Sequence, residues 1–251
     1  MSFKIVIPAR YSSSRLPGKP LLEIAGKPMI QHVFERAQES SAAEIIIATD
    51  DVRIEQVAQG FGADVCMTQV DHPSGTDRLA EVALKRGFDD NDIIVNVQGD
   101  EPCLPAALIN QVADDLESHQ DADIATLYSQ ITQEKQVFDP NVVKAVMDNN
   151  GYALYFSRAP IPWMRDHFNS DSSLPPELPH YRHIGLYSYR AGFLKHYSEL
   201  APCVLEQEES LEQLRAMFYG KKIHLSAAHI DSGHGVDTQD DLIEVRKLLG
   251  Q

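Results

Sequence analysis

Cysteine is scarce in this sequence, and no apolar run approaches the roughly 18 residues needed to cross a membrane. The three cysteines, Cys66, Cys103 and Cys203, are odd in number and lie in unrelated contexts, which argues against a disulfide framework. The opening Met-Ser-Phe-Lys-Ile-Val-Ile-Pro lacks the charged, apolar and small-residue order of a signal peptide. These absences predict free thiols, a cytoplasmic location and no membrane insertion.

The motifs of several common enzyme classes are missing as well. The Walker A spacing does not occur, since Gly26-Lys27 is followed by Pro28 instead of Ser or Thr. No Gly-x-Gly-x-x-Gly follows the first predicted strand, which weighs against a dinucleotide-dependent oxidoreductase, and no Gly-x-Ser-x-Gly of a hydrolase is present. Without His-Glu-x-x-His or clustered Cys/His spacing, we predict no zinc site.

Positive charge is also in short supply, with 22 Lys and Arg residues against 37 Asp and Glu residues and a net charge of −15. That balance makes extended contact with nucleic acid or an anionic membrane unfavourable. The first 36 residues reverse it, with six cations against two anions. An acidic chain that concentrates its cations in one short region is expected to bind a small anion there.

The stretch that carries these cations follows the β-branched run Ile5-Val6-Ile7, which is typical of a buried parallel strand. Residues 10–21 then combine three cations, three serines, one glycine and two prolines. Cations and hydroxyls are donors suited to phosphate oxygens, and the prolines stiffen the loop. The alternatives are a solvated surface loop and a loop that cradles a triphosphate, and we favour the latter.

Hydrophobic periodicity predicts one α/β domain over residues 1–251, because strands alternate with helices as in βαβ units of a parallel sheet. From about residue 124 the alternation of strands and helices becomes less regular, which predicts a mixed sheet. We also predict a hairpin turn at 148–151 and a mobile loop at 160–179. The predicted strands are 5–7, 45–47, 64–68, 93–97, 142–147, 152–156, 182–190 and 224–229, and the predicted helices are 29–37, 52–60, 79–86, 104–116, 211–218 and 242–249.

Two further segments have the composition of ligand-binding turns. Asp100 directly follows a predicted parallel strand, where a carboxylate either holds Mg²⁺ or caps the next helix. Asp237 lies in Gly-His-Gly-Val-Asp-Thr, where glycines allow close backbone approach. Ser74-Gly75-Thr76 precedes a helix, so its groups can face a ligand, cap the helix, or do both.

The sequence Ile-Pro-Ala-Arg-Tyr-x-Ser-x-Arg-Leu-Pro-Gly-Lys-Pro-Leu at 7–21 resembles the opening signature of sugar nucleotidyltransferases, most closely the 3-deoxy-manno-octulosonate (Kdo) cytidylyltransferases. The resemblance implies a Rossmann-like α/β sandwich with a mostly parallel central sheet and a smaller antiparallel part. It implies a Mg²⁺-dependent transfer from CTP to an acidic eight-carbon ketosugar, by a homodimer that serves lipopolysaccharide synthesis. Residues 1–122 would mainly bind CTP, and residues 123–251 would mainly bind the sugar and form the dimer.

The resemblance also implies roles for individual residues. The catalytic residues would be Arg10, Arg15, Lys19 and Asp100, and the metal ligands Asp100 and Asp237. The nucleotide would contact Pro8, Ala9, Arg10, Ser13, Ser14, Arg15, Lys19, Ser74, Gly75 and Asp100. The sugar would contact Gln98, Arg158, Arg165, His183, Tyr187, Ser188, Glu212 and Gln213.

Ser188 stands where the resembled family usually has glycine or alanine. If its hydroxyl faces the sugar, an 8-amino analogue of Kdo becomes the expected substrate; alternatively it lies on the opposite face of its strand. A CMP-sialic acid synthetase and a non-catalytic nucleotide-binding regulator are the other functions considered. Asp100, Asp237 and Lys19 are all present, which favours an active enzyme over the regulator.

Overall fold

The computed structural model describes residues 2–12, 16–168 and 178–250, and Ser13, Ser14 and Arg15 lie outside the described residues. Within those ranges no helix is both long and apolar enough to span a bilayer. The strands are β1 (Lys4–Ala9), β2 (Glu23–Ile24), β3 (Lys27–Pro28), β4 (Glu44–Thr49), β5 (Asp64–Met67), β6 (Ile93–Asn96), β7 (Ile124–Gln130), β8 (Lys144–Met147), β9 (Ala153–Ser157), β10 (Tyr181–Arg190) and β11 (Ile223–Ala227). The helices are α1 (Met29–Gln38), α2 (Val52–Gly60), α3 (Gly75–Arg86), α4 (Ala106–Ser118), α5 (Glu134–Phe138), α6 (Ala191–Tyr197), α7 (Val204–Glu209), α8 (Gln213–Phe218) and α9 (Gln239–Leu248).

Nine of the strands form one sheet, whose main path runs β11-β7-β10-β6-β1-β4-β5. β1, β4, β5 and β6 are parallel neighbours, as are β7 and β11. β10 lies between β6 and β7 and runs antiparallel to both, with Tyr187 opposite Asn96 on one side and Thr126 on the other. β8 and β9 extend the far end of β10 as an antiparallel hairpin, and β2 and β3 form a separate small sheet. The predicted α/β architecture with a mostly parallel sheet is confirmed.

Helices cover both faces of the sheet because its central strands are apolar on both sides. Ile5 and Ile7 pack on the face covered by α1 and α4, while Val6 packs on the face covered by α3 and α6. All three side chains are fully buried. Burial at about 25 cal/mol per Å² of apolar surface makes these two layers the main source of stability.

The structure differs from the predicted elements mainly in the second half of the chain. Residues 124–130, where the local pattern loosened, form strand β7 in the interior of the sheet. Helices α5, α6 and α7 were not predicted. β7 is flanked by strands that come more than fifty residues later, so its burial depends on long-range pairing that leaves little local signal. Of the loop predicted at 160–179, residues 169–177 lie outside the described ranges.

Candidate active site

A cavity of about 540 Å³ opens at the carboxyl ends of β1 and β6 and extends along the face of the sheet that α3 and α6 cover. This is where open α/β sheets bind ligands. The two strands approach closely at that edge, since a Cβ on Gly99 would lie 2.8 Å from the Pro8 carbonyl oxygen. A glycine is therefore required where the chain leaves β6.

The opening loop contributes one side of the cavity. Pro8, Ala9, Arg10 and Lys19 line it, and the Arg10 guanidinium donates to the His72 carbonyl at 3.2 Å. The loop turns back on itself through Gly18, whose φ of +69° is accessible to glycine at little cost. Two of the three cations predicted to bind a phosphate chain, Arg10 and Lys19, therefore line the cavity, and the third, Arg15, lies outside the described residues.

The Lys19 ammonium joins the two carboxylates that were predicted to hold a metal. It donates to Asp100 Oδ2 at 2.7 Å and to Asp237 Oδ1 at 3.2 Å. A third hydrogen bond reaches the Val236 carbonyl at 2.8 Å. Two carboxylates from distant parts of the chain thus converge on one positive centre, and oxygen donors arranged in this way suit Mg²⁺.

The turn before α3 combines a structural cap with a lining role. Ser74 is the N-cap, and its hydroxyl accepts from the Asp77 amide at 3.2 Å and donates to the Asp77 carboxylate at 2.7 Å. Gly75 and Thr76 line the cavity, whereas Ser74 does not appear among its lining residues. The predicted nucleotide contact is therefore better supported for the Gly75 backbone than for the Ser74 hydroxyl.

Three of the predicted sugar residues meet on the opposite wall of the cavity: Tyr187 on β10, and Glu212 and Gln213 at the start of α8. Consecutive helix residues can face one ligand only where a helix begins, and α8 begins at this point. The Thr76 hydroxyl donates to Glu212 Oε2 at 2.9 Å. Although the residue as a whole is exposed, desolvation of its carboxyl group raises the pKa of Glu212 above its ordinary value, against the opposing effect of that hydrogen bond.

Gln98 lies between this cavity and a smaller one of about 120 Å³, which His183 lines. Burial, and then the Arg182 guanidinium, lower the pKa of His183 to about 3, so its imidazole is neutral near pH 7. Its Nε2 lies 3.0 Å from the Thr126 hydroxyl, whose oxygen also lies within hydrogen-bond distance of two carbonyls. The single hydroxyl proton goes to a carbonyl, so His183 Nε2–H is the donor and Nδ1 is left as the acceptor.

Three of the residues predicted to contact the sugar do not line either cavity in the structure. Ser188 is fully buried and its hydroxyl donates to the Val112 carbonyl of α4 at 2.7 Å, on the face of the sheet opposite the cavity. Arg158 donates to the carbonyls of Glu209, Pro140 and Ser210, and it lines neither cavity. Arg165 is exposed and also lines neither.

Alternation along β10 would have revealed the error at Ser188, because successive side chains of a strand point to opposite faces. Tyr187 and Tyr189 both line the cavity, so Ser188 between them faces away. Reasoning from the sequence also missed Asn96, Tyr189 and Tyr197 as lining residues. All three are buried, and the local pattern predicts ordinary core residues at these positions.

A second polar cluster lies away from the cavity, where Asp115, His119 and His224 bring their ligand atoms within 4.8 Å of one another. Both nitrogens of His224 face acceptors: Nδ1 lies 2.8 Å from Asp115 Oδ2, and Nε2 lies 3.1 Å from the Asn150 carbonyl. The two imidazole rings stack at 3.5 Å with planes 17° apart, so their in-plane lone pairs do not converge on one ion. This arrangement suits a protonated His224 better than a metal.

A cytidylyltransferase family model matches residues 4–223, which is most of the chain and includes the opening loop, Asp100, Tyr187, Glu212 and Gln213. This chain belongs to the cytidylyltransferase family. Among curated cytidylyltransferases, the 3-deoxy-manno-octulosonate cytidylyltransferase of Hahella chejuensis is 57% identical, covering 100% of this chain and 98% of the relative. The protein of the same name from Nitrosococcus oceani is 55% identical over 99% of this chain and 97% of the relative.

A solved structure of a CMP:2-keto-3-deoxy-manno-octonic acid synthetase, complexed with CTP, superimposes on this cytidylyltransferase with a TM-score of 0.89. The two chains are 44% identical, and the match covers 100% of this chain and 98% of the other. The sequence resemblance to Kdo cytidylyltransferases is confirmed at the level of the family and of the whole fold.

Proposed function

We propose that this cytidylyltransferase transfers the cytidylyl group of CTP to Kdo, releasing pyrophosphate and CMP-Kdo. The observation that carries the proposal is one cavity whose opposite walls hold the opening-loop cations and the Tyr187, Glu212 and Gln213 cluster. A donor nucleotide and an acceptor sugar fit such a cavity side by side. Curated relatives named for this activity match over 97% and 98% of their length.

CTP lies along the opening loop in this proposal. Pro8, Ala9 and the Gly75 backbone bind the cytidine, and Arg10 and Lys19 neutralise the triphosphate. Ser13, Ser14, Arg15 and Ser74 remain predicted nucleotide contacts. Rate enhancement comes mostly from positioning and charge neutralisation, as is general for transfers to phosphorus.

Mg²⁺ is the proposed metal, held by Asp100 and Asp237, which converge on the Lys19 ammonium in the structure. When bound, Mg²⁺ neutralises charge on phosphate oxygens and makes a nearby hydroxyl more acidic. Asp100 and Asp237 would hold the metal next to the phosphate chain, and Arg10 and Lys19 stabilise the charge that develops on the leaving pyrophosphate.

Gln98, Tyr187, Glu212 and Gln213 orient the sugar so that its anomeric hydroxyl faces the α-phosphorus of CTP. The hydroxyl oxygen forms a bond to the α-phosphorus, the bond to the β-phosphate oxygen breaks, and the hydroxyl proton is released. The Ser188 hydroxyl lies on the opposite face of the sheet, where it cannot contact a sugar in the cavity, so Ser188 gives no reason to expect the 8-amino sugar. Kdo is therefore the proposed acceptor.

Pyrophosphate release with CTP and Mg²⁺ tests the proposal, with Kdo, 8-amino-Kdo and sialic acid compared side by side. We expect a strong preference for Kdo, loss of turnover in Asp100→Asn, and wild-type turnover in Asp240→Asn, an aspartate on α9 that lines neither cavity. A preference for another acid would correct the substrate, and no release with any sugar would refute the reaction.

Three broader expectations remain proposals. The homodimer is supported by large exposed apolar side chains such as Leu154, Val204 and Phe218, and light scattering measures it. A cytoplasmic location is supported by the three cysteines, all of which are free thiols. The division into a CTP half and a sugar half is supported by the opening loop on one wall and α8 on the other.

A further inference from the structure

The cavity of about 540 Å³ is lined by three residues with polar atoms that have no hydrogen-bond partner among the residues that the structure describes: Asn96 Oδ1, the Tyr197 hydroxyl and Gln213 Nε2. Only 2% of Asn96, 2% of Tyr197 and 8% of Gln213 is exposed. Buried polar atoms in folded proteins are nearly always paired, because leaving one unpaired is costly. Three such atoms on one cavity indicate a ligand that completes their hydrogen bonds.

The three residues come from separate elements that meet deep in the cavity: β6 ends at Asn96, α6 ends at Tyr197 and α8 begins at Gln213. Asn96 is in register with Val6 of β1, four residues before Arg10. At about 3.3 Å per residue, Asn96 lies roughly 13 Å below Arg10 along the strand direction. The Asn96 end of the cavity, called the deep end below, is therefore well separated from Arg10.

The walls of the deep end are aromatic. The Tyr189 and Phe193 rings are nearly parallel, with centroids 6.1 Å apart, and the Phe193 and Tyr197 centroids are 5.7 Å apart. Aromatic faces pack well against C–H surfaces, while tyrosine hydroxyls bind polar groups at the edge. A ligand here needs both a C–H surface and several hydrogen-bonding groups.

The charges of the lining residues determine which part of an acidic sugar can bind at the deep end of the cavity. Among the described residues, the cations lining the cavity are Arg10 and Lys19, both from the opening loop, whereas Gln213 is directly preceded by the Glu212 carboxylate, which also lines the cavity. Arg215 lies over the Tyr197 ring but is bound to Glu206, with Nε 2.7 Å from Oε2. A carboxylate is thus disfavoured at the deep end and neutral hydroxyls are favoured.

We propose that Asn96 and Tyr197, together with Gln213, bind the hydroxylated chain of the acceptor sugar and select for its length. The inference rests on the proposed function, and it adds Asn96 and Tyr197 as specificity-determining residues with a defined orientation of the sugar. An amide oxygen accepts, an amide nitrogen donates and a phenol does both, which matches a chain of vicinal hydroxyls. The carboxylate and the anomeric carbon then lie towards the cations and the metal ligands.

The test is the steady-state kinetics of Tyr197→Phe, which removes the hydroxyl and keeps the ring. We expect the KM for Kdo to rise about tenfold, the loss of one hydrogen bond in a buried site, while the KM for CTP is unchanged. The melting temperature should not fall, because the free protein loses no hydrogen bond that the structure describes. Tyr219→Phe is the matched control, since the Tyr219 hydroxyl donates to the Ala201 carbonyl elsewhere, and it should match wild type.

A shortened acceptor, a seven-carbon 3-deoxyulosonate that lacks the terminal CH₂OH group, separates binding from a structural role. If Tyr197 binds the end of the chain, wild type and Tyr197→Phe have the same KM for this sugar, and Asn96→Ser shows the same loss of discrimination. An unchanged KM for Kdo in Tyr197→Phe would overturn the inference, as would an equal penalty with both sugars. These outcomes differ from a failure of the proposed function. In that case wild type itself would turn over neither sugar, and the inference would be wrong as well.

Discussion

Replacing Lys19 with methionine tests whether its ammonium occupies the position of a divalent cation. Methionine keeps an apolar stem of similar length but removes the hydrogen bonds to Asp100, Asp237 and the Val236 carbonyl. A hydrogen bond from a charged donor contributes roughly 1.5–3 kcal/mol when buried, and an exposed ion pair roughly 0–1 kcal/mol. Because a third of the Asp100 side chain and more than half of the Asp237 side chain are exposed, we take a low total of about 2 kcal/mol.

In a chain of this length 1 kcal/mol moves the melting temperature by about 2–4 °C, so Lys19→Met should melt roughly 4–8 °C below wild type without metal. Mg²⁺ should then stabilise the variant more than wild type, because the ammonium no longer competes for the two carboxylates. A tenfold excess of Mg²⁺ over its dissociation constant contributes about 1.4 kcal/mol, which restores a substantial part of the loss.

Differential scanning calorimetry with and without Mg²⁺ measures both effects without any assay of activity. Lys27→Met is the matched control, because Lys27 is bound only to the exposed Glu35 in the described part of the chain. We expect that control to shift by no more than about 2 °C and to show no added response to Mg²⁺. A Lys19→Met protein that melts like wild type, or that responds to Mg²⁺ no more than wild type does, would refute the reasoning.

Two other substitutions probe residues away from the cavity. Ser188→Ala should lower the free energy of unfolding by about 1 kcal/mol, since it removes one buried hydrogen bond to the Val112 carbonyl, and it should leave the preference for Kdo over 8-amino-Kdo unchanged. Urea denaturation and competition kinetics measure the two, and an altered preference would contradict the assignment. Burial lowers the pKa of His224, but Asp115 outweighs it and raises that pKa above the ordinary value, so their interaction stabilises the fold below about pH 6.5 and is lost as the pH rises through the folded pKa. Asp115→Asn should therefore cost about 2–3 kcal/mol at pH 6 and much less at pH 9, and equal losses at both pH values would count against a protonated His224.

The first half of the fold could be predicted because local sequence and long-range structure agree there. Ile5–Ile7 and Ile93–Val95 are continuous β-branched runs, and each is buried on both faces as part of a central strand. β7 gave no comparable signal, since its neighbours β10 and β11 come much later in the chain. The position of β10, inserted antiparallel into a parallel sheet, is a property of topology that no local pattern contains.

The residues of the candidate site could likewise be predicted only in part. Lys19 and Asp100 were predicted from a dense motif and from a position after a strand, and the structure brings them together. Tyr197 and Asn96 were missed because a buried tyrosine and a strand asparagine look like ordinary core residues until the cavity is visible. Arg158 was assigned to the sugar by resemblance. In the structure it donates hydrogen bonds to three backbone carbonyls, and no sequence motif predicts such contacts.

The insertion of β10 also has a consequence for how the chain is made. On the ribosome, β6 and β7 are complete well before β10 emerges, and at about 5–20 residues per second the wait lasts several seconds. During that time both strands present unpaired edges, which are templates for aggregation. Nascent chains that stall before residue 181 should therefore be clients of chaperones. The same late strand carries Tyr187 and Tyr189, so the substrate cavity cannot form before β10 has paired, and it also requires Glu212 and Gln213, which are made later still.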